Sequence, residues 1–267
     1  EMIMRVGYVQ TKPVFGKKKD NLDQAVELID KTDADLLVLP ELFSTGYYFP
    51  SKARLMQLAE EIPSGKTVRT FKNLARKKNC HFVFGMAEKK GSRAYNSSVY
   101  VTPHGKIYLY RKLQLFYKEA TVFARGNLKP KVFPFYEYKL GMMICFDYMF
   151  PEICRVMALA GADLICHPSN LVLKYCQLAN RTRSLENRVF IIMSNRVGED
   201  TAFGETLKFT GMSQITSPDG SVLARGPKTK PALSVTDIDM QDSREKKPTP
   251  YNHVLNDRRP GFYRDLL

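Results

Sequence analysis

The chain has 267 residues, 44% of them hydrophobic, which is enough to bury one large core in a single α/β domain. No apolar run approaches the roughly 18 residues that span a bilayer, and the opening EMIMRVGYVQ is a buried-strand pattern rather than a secretory leader. The net charge of +14 is spread over short runs such as Lys17-Lys18-Lys19 and Arg258-Arg259, without interleaved aromatics, so it reads as solvated surface and not as a nucleic-acid motif.

In chain order, residues 4–10 alternate like a strand, and Leu22, Ala25, Val26 and Ile29 recur at helical spacing over 20–29. ADLLVLPE is a continuous apolar run, as in a strand covered on both faces. A helix is predicted over 65–78, with Val68, Phe71, Leu74 and Ala75 on its apolar side. Strands follow in HFVFGMAEK, AYNSSVYVTP and KIYLYRKLQL, the last two joined by a turn at Pro103-His104-Gly105. VFPFYEYKLGMMICF reads as two strands meeting at Tyr138-Lys139. PEICRVMALAGA opens with proline in a first helical turn and ends near Gly161.

DLICHPSN is then a strand, LANRTRSLENR a helix and VFIIMSNRVG a strand. A loop is expected around Gly198–Gly204, followed by a hairpin in GMSQITSPDGSVLARG and a closing strand in PALSVTDIDM. The pattern predicts an α/β protein with two sheets packed face to face and helices outside. One domain over 1–240 and a charged extension over 241–267 are expected. The GFYRDLL end of that extension suits docking on a second subunit.

Five cysteines, Cys80, Cys145, Cys154, Cys166 and Cys176, form no CxxC pair and are odd in number, which fits free thiols in a reducing cytoplasm. The histidines are too scattered for a metal cluster, so neither metal nor organic cofactor is expected. Three reactive side chains lie beside strand ends: Glu41 in LVLPELFSTGY, Lys112 in YRKLQLFYKE and Cys145 in GMMICFDYMFPE. A thiol near its usual pKa is mostly protonated at neutrality and needs a base, and an oxyanion needs a cation or donors. A carboxyl partly desolvated at the end of an apolar strand suits that base. Alternation leaves one choice open: Lys112 falls on the face with Tyr108 and Tyr110, whereas Arg111 takes the other, and pattern alone does not select between them.

These segments, with ALAGADLICHPSN, SLENRVFIIMSNRVG and GMSQITSPDG, resemble the nitrilase superfamily over nearly the whole chain. The resemblance implies a four-layer α-β-β-α sandwich, usually dimeric. It also implies Glu41 as general base, Lys112 as oxyanion partner, Cys145 as nucleophile, and the Phe146 backbone amide as second oxyanion donor. Glu119 matches a further acidic residue beside the lysine. Tyr47, Asn170 and Asn195 are candidates for lining the pocket, and Glu186 and Arg188 of SLENR for buttressing it through ion pairs. Two positions depart from the family pattern: Gln114 stands where a histidine is common, and Arg125 where a proline precedes Gly126.

Nitrilases proper follow the cysteine with Trp-Glu, and this chain has no tryptophan. Cys145-Phe146-Asp147 resembles the amidase and carbamoylase branches, and no arginine-containing carboxylate-binding segment is evident after Asn170. A small linear amide is the expected substrate, ahead of an N-carbamoyl amine and a nitrile. An acyltransferase and a non-catalytic binding partner are the rival readings, the latter disfavoured by four intact reactive residues. Specific nucleic acid and membrane are not expected as partners.

Overall fold

The computed structural model describes residues 2–266. Glu1 and Leu267 lie outside the described residues, Leu267 being the last residue of GFYRDLL. The strands are β1 (Ile3–Gln10), β2 (Leu36–Val38), β3 (His81–Lys90), β4 (Arg93–Val101), β5 (Ile107–Arg111), β6 (Val132–Phe135) and β7 (Tyr138–Met142). After them come β8 (Leu164–Pro168), β9 (Phe190–Ser194), β10 (Glu199–Ala202), β11 (Glu205–Lys208), β12 (Gln214–Thr216), β13 (Val222–Arg225) and β14 (Ala232–Asp239). The helices are α1 (Lys18–Asp30), α2 (Lys52–Leu58), α3 (Lys66–Lys78), α4 (Pro151–Leu159) and α5 (Cys176–Asn187).

One six-stranded sheet runs β14-β1-β2-β3-β4-β5 and the other β13-β12-β9-β8-β7-β6. Within each, the central pairs are parallel (β1 with β2, β2 with β3; β7 with β8, β8 with β9) and the flanking pairs antiparallel. Val6, Tyr8, Val38 and Tyr100 of the first sheet meet Leu140, Met142, Cys166 and Ile192 of the second in one buried cluster. The first sheet's other face packs Leu37, Leu39 and Phe82 against Leu22, Ala25 and Ile29 of α1 and Val68, Phe71 and Leu74 of α3. The second sheet's outer face packs Ile165 and Ile191 against Ile153, Cys154 and Met157 of α4. The layers therefore run helix, sheet, sheet, helix. A strand covered on both faces needs continuous apolar sequence, and LLVL and LIC are such runs.

Local signals match the element ends. α3 carries Arg76, Lys77 and Lys78 in its last turn, where cations favour the helix dipole, and stops at Asn79 in a left-handed conformation (φ 49°). α4 begins on Pro151, whose missing N–H costs nothing there.

Three elements differ from the sequence-based expectation. The β6–β7 turn falls at Tyr136-Glu137, with Phe135 opposite Tyr138, because Tyr136 itself takes a positive φ of 52°. Residues 52–58 form α2, capped by Ser51 Oγ accepting the Arg54 amide at 3.1 Å. The loop expected at 198–204 contains most of a β10–β11 hairpin. Beyond β14, Lys246 Nζ donates to the Asn187 and Arg188 carbonyls at the C-terminal end of α5 (3.3 and 2.7 Å), and Leu255 packs on the α4 cluster.

Candidate active site

Glu41 lies three residues past β2, in a turn pinned to β3. The Leu39 amide donates to Val83 O (2.8 Å), the Gly85 amide to Pro40 O (3.1 Å) and the Phe43 amide to Gly85 O (3.3 Å). Only glycine fits at 85, since a Cβ there would stand 2.4 Å from Glu41 Cα. Lys112 is the first residue beyond β5. Its amide donates to Asn96 O of β4 at 2.9 Å, and its carbonyl accepts the Gly126 amide at 2.9 Å. A Cβ on Gly126 would stand 2.3 Å from Arg111 O, whereas neighbouring Arg125 is exposed, so the glycine and not its predecessor shapes this loop.

The end of β5 resolves the choice between cations. Both are buried, but Arg111 turns to Glu88 on the other face (2.8 and 2.5 Å) and Lys112 turns to Glu41 and Glu119. Alternation was uninformative because both faces at this point hold a carboxylate.

Lys112 Nζ donates to Glu41 Oε1 at 2.8 Å and Glu119 Oε1 at 2.6 Å, with all three side chains sealed from solvent. Burial alone would neutralise the ammonium, but Glu119 and Glu41 outweigh it and hold the lysine charged, above its usual range. Glu119 is raised by its burial, against the pull of Lys112, and its Oε1 also accepts the Tyr47 hydroxyl at 2.7 Å. Asn96 Nδ2 donates to Glu41 Oε1 at 2.6 Å, while Glu41 Oε2 is buried with no hydrogen-bond partner among the described residues.

Cys145 lies three residues past β7, at the head of a short helical turn (Cys145–Met149), with a positive φ of 41°. Such strain costs of the order of 1–3 kcal/mol and persists only where surroundings impose it. Here Asp147 imposes it, accepting the Ile144 amide (2.9 Å), the Tyr110 hydroxyl (2.8 Å) and the Gln114 amide (3.1 Å). Burial lifts the Cys145 thiol well above its usual range, Glu41 and Glu119 add to this, and Lys112 opposes them. The resting sulfur is therefore a neutral thiol, and a base must take its proton when it reacts. The crevice over Cys145 is narrow and open to solvent, with a cavity volume of only about 10 Å³, bounded by Phe116, Phe146, Tyr148, Asn170, Leu171 and Leu173. None of its lining side chains is charged apart from what Cys145 becomes when it reacts.

A family model described as carbon-nitrogen hydrolase matches residues 5–248. The chain belongs to that family. It is 41% identical to a nitrilase of Pyrococcus abyssi over 98% of this chain and 99% of the relative. It is 34% identical to an (R)-stereoselective amidase of a Pseudomonas species, over 82% and 80% of the two chains. The fold matches the crystal structure of a carbon-nitrogen hydrolase from Helicobacter pylori G27 with a TM-score of 0.85 at 26% identity, covering 99% and 98%. The protein is a carbon–nitrogen hydrolase of the nitrilase superfamily.

The remaining candidate residues of this hydrolase divide by what their side chains touch. Tyr47 meets the site through its hydroxyl, which donates to Glu119. Asn170 borders the crevice, 2% exposed, with neither amide atom partnered among the described residues. Asn195 does not line the pocket, contrary to expectation. Its Oδ1 accepts the Leu171 amide (2.9 Å) and its Nδ2 donates to Thr210 Oγ1 (3.1 Å) and Gly211 O (2.6 Å), so it braces the loop after β8. Of the expected Glu186 and Arg188 buttress, Glu186 pairs with Arg183 (3.2 Å), whose Nη2 donates to the Tyr148 carbonyl in the Cys145 turn (3.2 Å), whereas Arg188 makes no ion pair there and donates to the Pro218 and Glu245 carbonyls.

Asn96, Asp147 and His167 were not anticipated. With Asn180 Nδ2 donating to His167 Nδ1 (3.1 Å), the Nε2 proton points at the Cys145 carbonyl (2.9 Å), and burial keeps the ring neutral with a pKa lowered to about 4. Their shared signal in the sequence is a polar residue inside an otherwise apolar strand or at its end. Among the described residues, no three His, Cys, Asp or Glu side chains group as a metal site.

Proposed function

We propose that this hydrolase cleaves small, neutral, linear amides to carboxylate and ammonia through a thioester on Cys145. The observation that carries the reading is the buried ammonium of Lys112 held between the Glu41 and Glu119 carboxylates, and burial that pushes the Cys145 thiol up supports the need for a base. Glu41 takes the thiol proton on its free Oε2, and the sulfur attacks the carbonyl carbon. The Lys112 ammonium and the Phe146 amide hold the tetrahedral oxyanion, each donor contributing about 3–4 kcal/mol to the transition state. The carbon–nitrogen bond then breaks, and the nitrogen leaves as ammonia with the proton returned by Glu41. A water gives a proton to Glu41 and adds to the thioester, the carbon–sulfur bond breaks with Glu41 returning that proton to the sulfur, and the released acid ionises to carboxylate in water. Glu119 touches Lys112 but no reacting atom, and keeps it charged and in place.

The narrowness of the crevice and its uncharged lining support the substrate class: a small amide with no carboxylate near the reacting carbon. Five free, buried thiols fit a reducing compartment such as the cytoplasm. Exposed aromatics of the extension, Tyr251, Phe262 and Tyr263, fit an extension that docks on a second copy of the chain.

The test is ammonia release from a panel of aliphatic amides, N-carbamoyl amines and nitriles, with Cys145→Ala alongside. Release from the amides by the parent and from nothing by the variant is expected. Turnover confined to carbamoyl compounds or nitriles would move the assignment to those branches, and activity in Cys145→Ala would end the thiol mechanism.

A further inference from the structure

The β10–β11 hairpin has no part in the chemistry above, yet it is bound to both sides of Glu119. Its strands pair from Glu199 with Lys208 to Ala202 with Glu205, and the turn is Phe203-Gly204. Both turn residues take positive φ, 54° and 74°. Asn-Gly or Asp-Gly fills such a turn cheaply, whereas a bulky aromatic in the left-handed region is strained. Phe203 is held there by its ring contacts: edge-on against Tyr48 (centroids 5.3 Å apart) and under the Lys118 ammonium, 4.6 Å from the ring centre. Across the turn, Glu205 accepts the Tyr48 hydroxyl (2.6 Å), the Tyr117 hydroxyl (3.0 Å) and the Lys118 ammonium.

Tyr117 and Lys118 lead the short helical turn that holds Glu119, and Tyr117 also has a positive φ, 50°. At the base of the hairpin, Asp200 accepts the backbone amides of Tyr47 and Tyr48 at 2.6 and 3.2 Å. Asp200 is itself fixed by the fully buried Arg196 at 2.8 and 3.1 Å. One hairpin thus holds the backbone of Tyr47, whose hydroxyl grips Glu119, and the two residues that precede Glu119 in the chain.

We propose that the hairpin Glu199–Lys208 is a clamp that sets the Glu119 carboxylate on Lys112, with Glu205 and Phe203 as its positioning residues. The inference rests on the hydrolase reading for its kinetic consequence and on geometry for the clamp itself. Releasing the clamp frees the Tyr117–Glu119 segment, and Lys112 loses one of its two carboxylates. Misplacement of a positioning group by about an ångström costs up to roughly a hundredfold in rate.

The experiment compares Glu205→Ala, Glu205→Gln and, as a hairpin control, Thr206→Val, whose hydroxyl meets only Thr201 across the strands. Two quantities are read: kcat and KM for the best aliphatic amide, and the pH profile of Cys145 alkylation by iodoacetamide, followed by peptide mass spectrometry. The charged groups facing Cys145 are Glu41, Lys112 and Glu119. Glu205→Ala is expected to lower kcat about ten- to a hundredfold with KM within about threefold. Its alkylation profile moves to lower pH, because Glu119 no longer adds negative charge beside the sulfur. Glu205→Gln, which keeps an acceptor for the tyrosines but loses the charge facing Lys118, falls between, and Thr206→Val matches the parent.

A parent-like kcat and profile in Glu205→Ala would overturn the clamp, as would lost activity with an unmoved profile, which is what a purely structural hairpin gives. If Glu205→Ala does not fold, Glu205→Gln decides on the same two readouts. If no amide is turned over at all, the alkylation profile alone decides, so the clamp and the hydrolase reading fail separately.

Discussion

Bordering the crevice, Asn170 Nδ2 and Oδ1 and the Tyr148 hydroxyl are buried polar atoms without partners among the described residues. Leaving such a group unpaired costs about 1–3 kcal/mol, so these atoms suit contact with a polar substrate. Asn170→Leu removes two of these atoms at similar volume. It is expected to leave thermal stability unchanged or raised by about 1 kcal/mol, and to lower kcat/KM for a small amide roughly ten- to a hundredfold. Differential scanning calorimetry and steady-state kinetics read the two effects. A destabilised variant with full activity would show that Asn170 is a packing residue.

Glu41 and Cys145 were singled out as residue types in context, and Glu119 and Lys112 only through resemblance, the lysine because Arg111 is equally buried against its own carboxylate. Asn195 was misjudged because a buried amide looks the same in sequence whether it meets ligand or loop.

The elements follow the same division. Those with a clear period and end signals, such as α3 between Gly65 and Asn79 or α4 behind Pro151, stand where the pattern puts them. The β10–β11 hairpin was invisible because EDTA and ETLK are polar on most positions, and its turn begins with a phenylalanine whose conformation is set by Tyr48 and Lys118. The β6–β7 turn was displaced for a similar reason, with Tyr136 in place of a glycine or asparagine. Local sequence fails at these two turns because tertiary contacts override it, and in the hairpin those contacts lead to Glu119.

For the whole molecule, the two-sheet sandwich was legible because strands covered on both faces leave long apolar runs in sequence. The partner of the outer surface was not, since an exposed face has no internal complement. Truncation after Arg259 removes Phe262 and Tyr263 from the extension. Sedimentation at micromolar concentration is expected to find the parent as a dimer and the truncated chain shifted toward monomer. A monomeric parent, or a truncated chain still fully dimeric, would remove the extension from the interface.

If substrate carbon is bonded to Cys145 sulfur during turnover, hydroxylamine competes with water for the thioester. Turnover of a small amide in its presence is predicted to yield hydroxamate at the expense of carboxylate, with neither product from Cys145→Ala. Ammonia release without any hydroxamate, together with activity surviving in Cys145→Ala, would contradict the account.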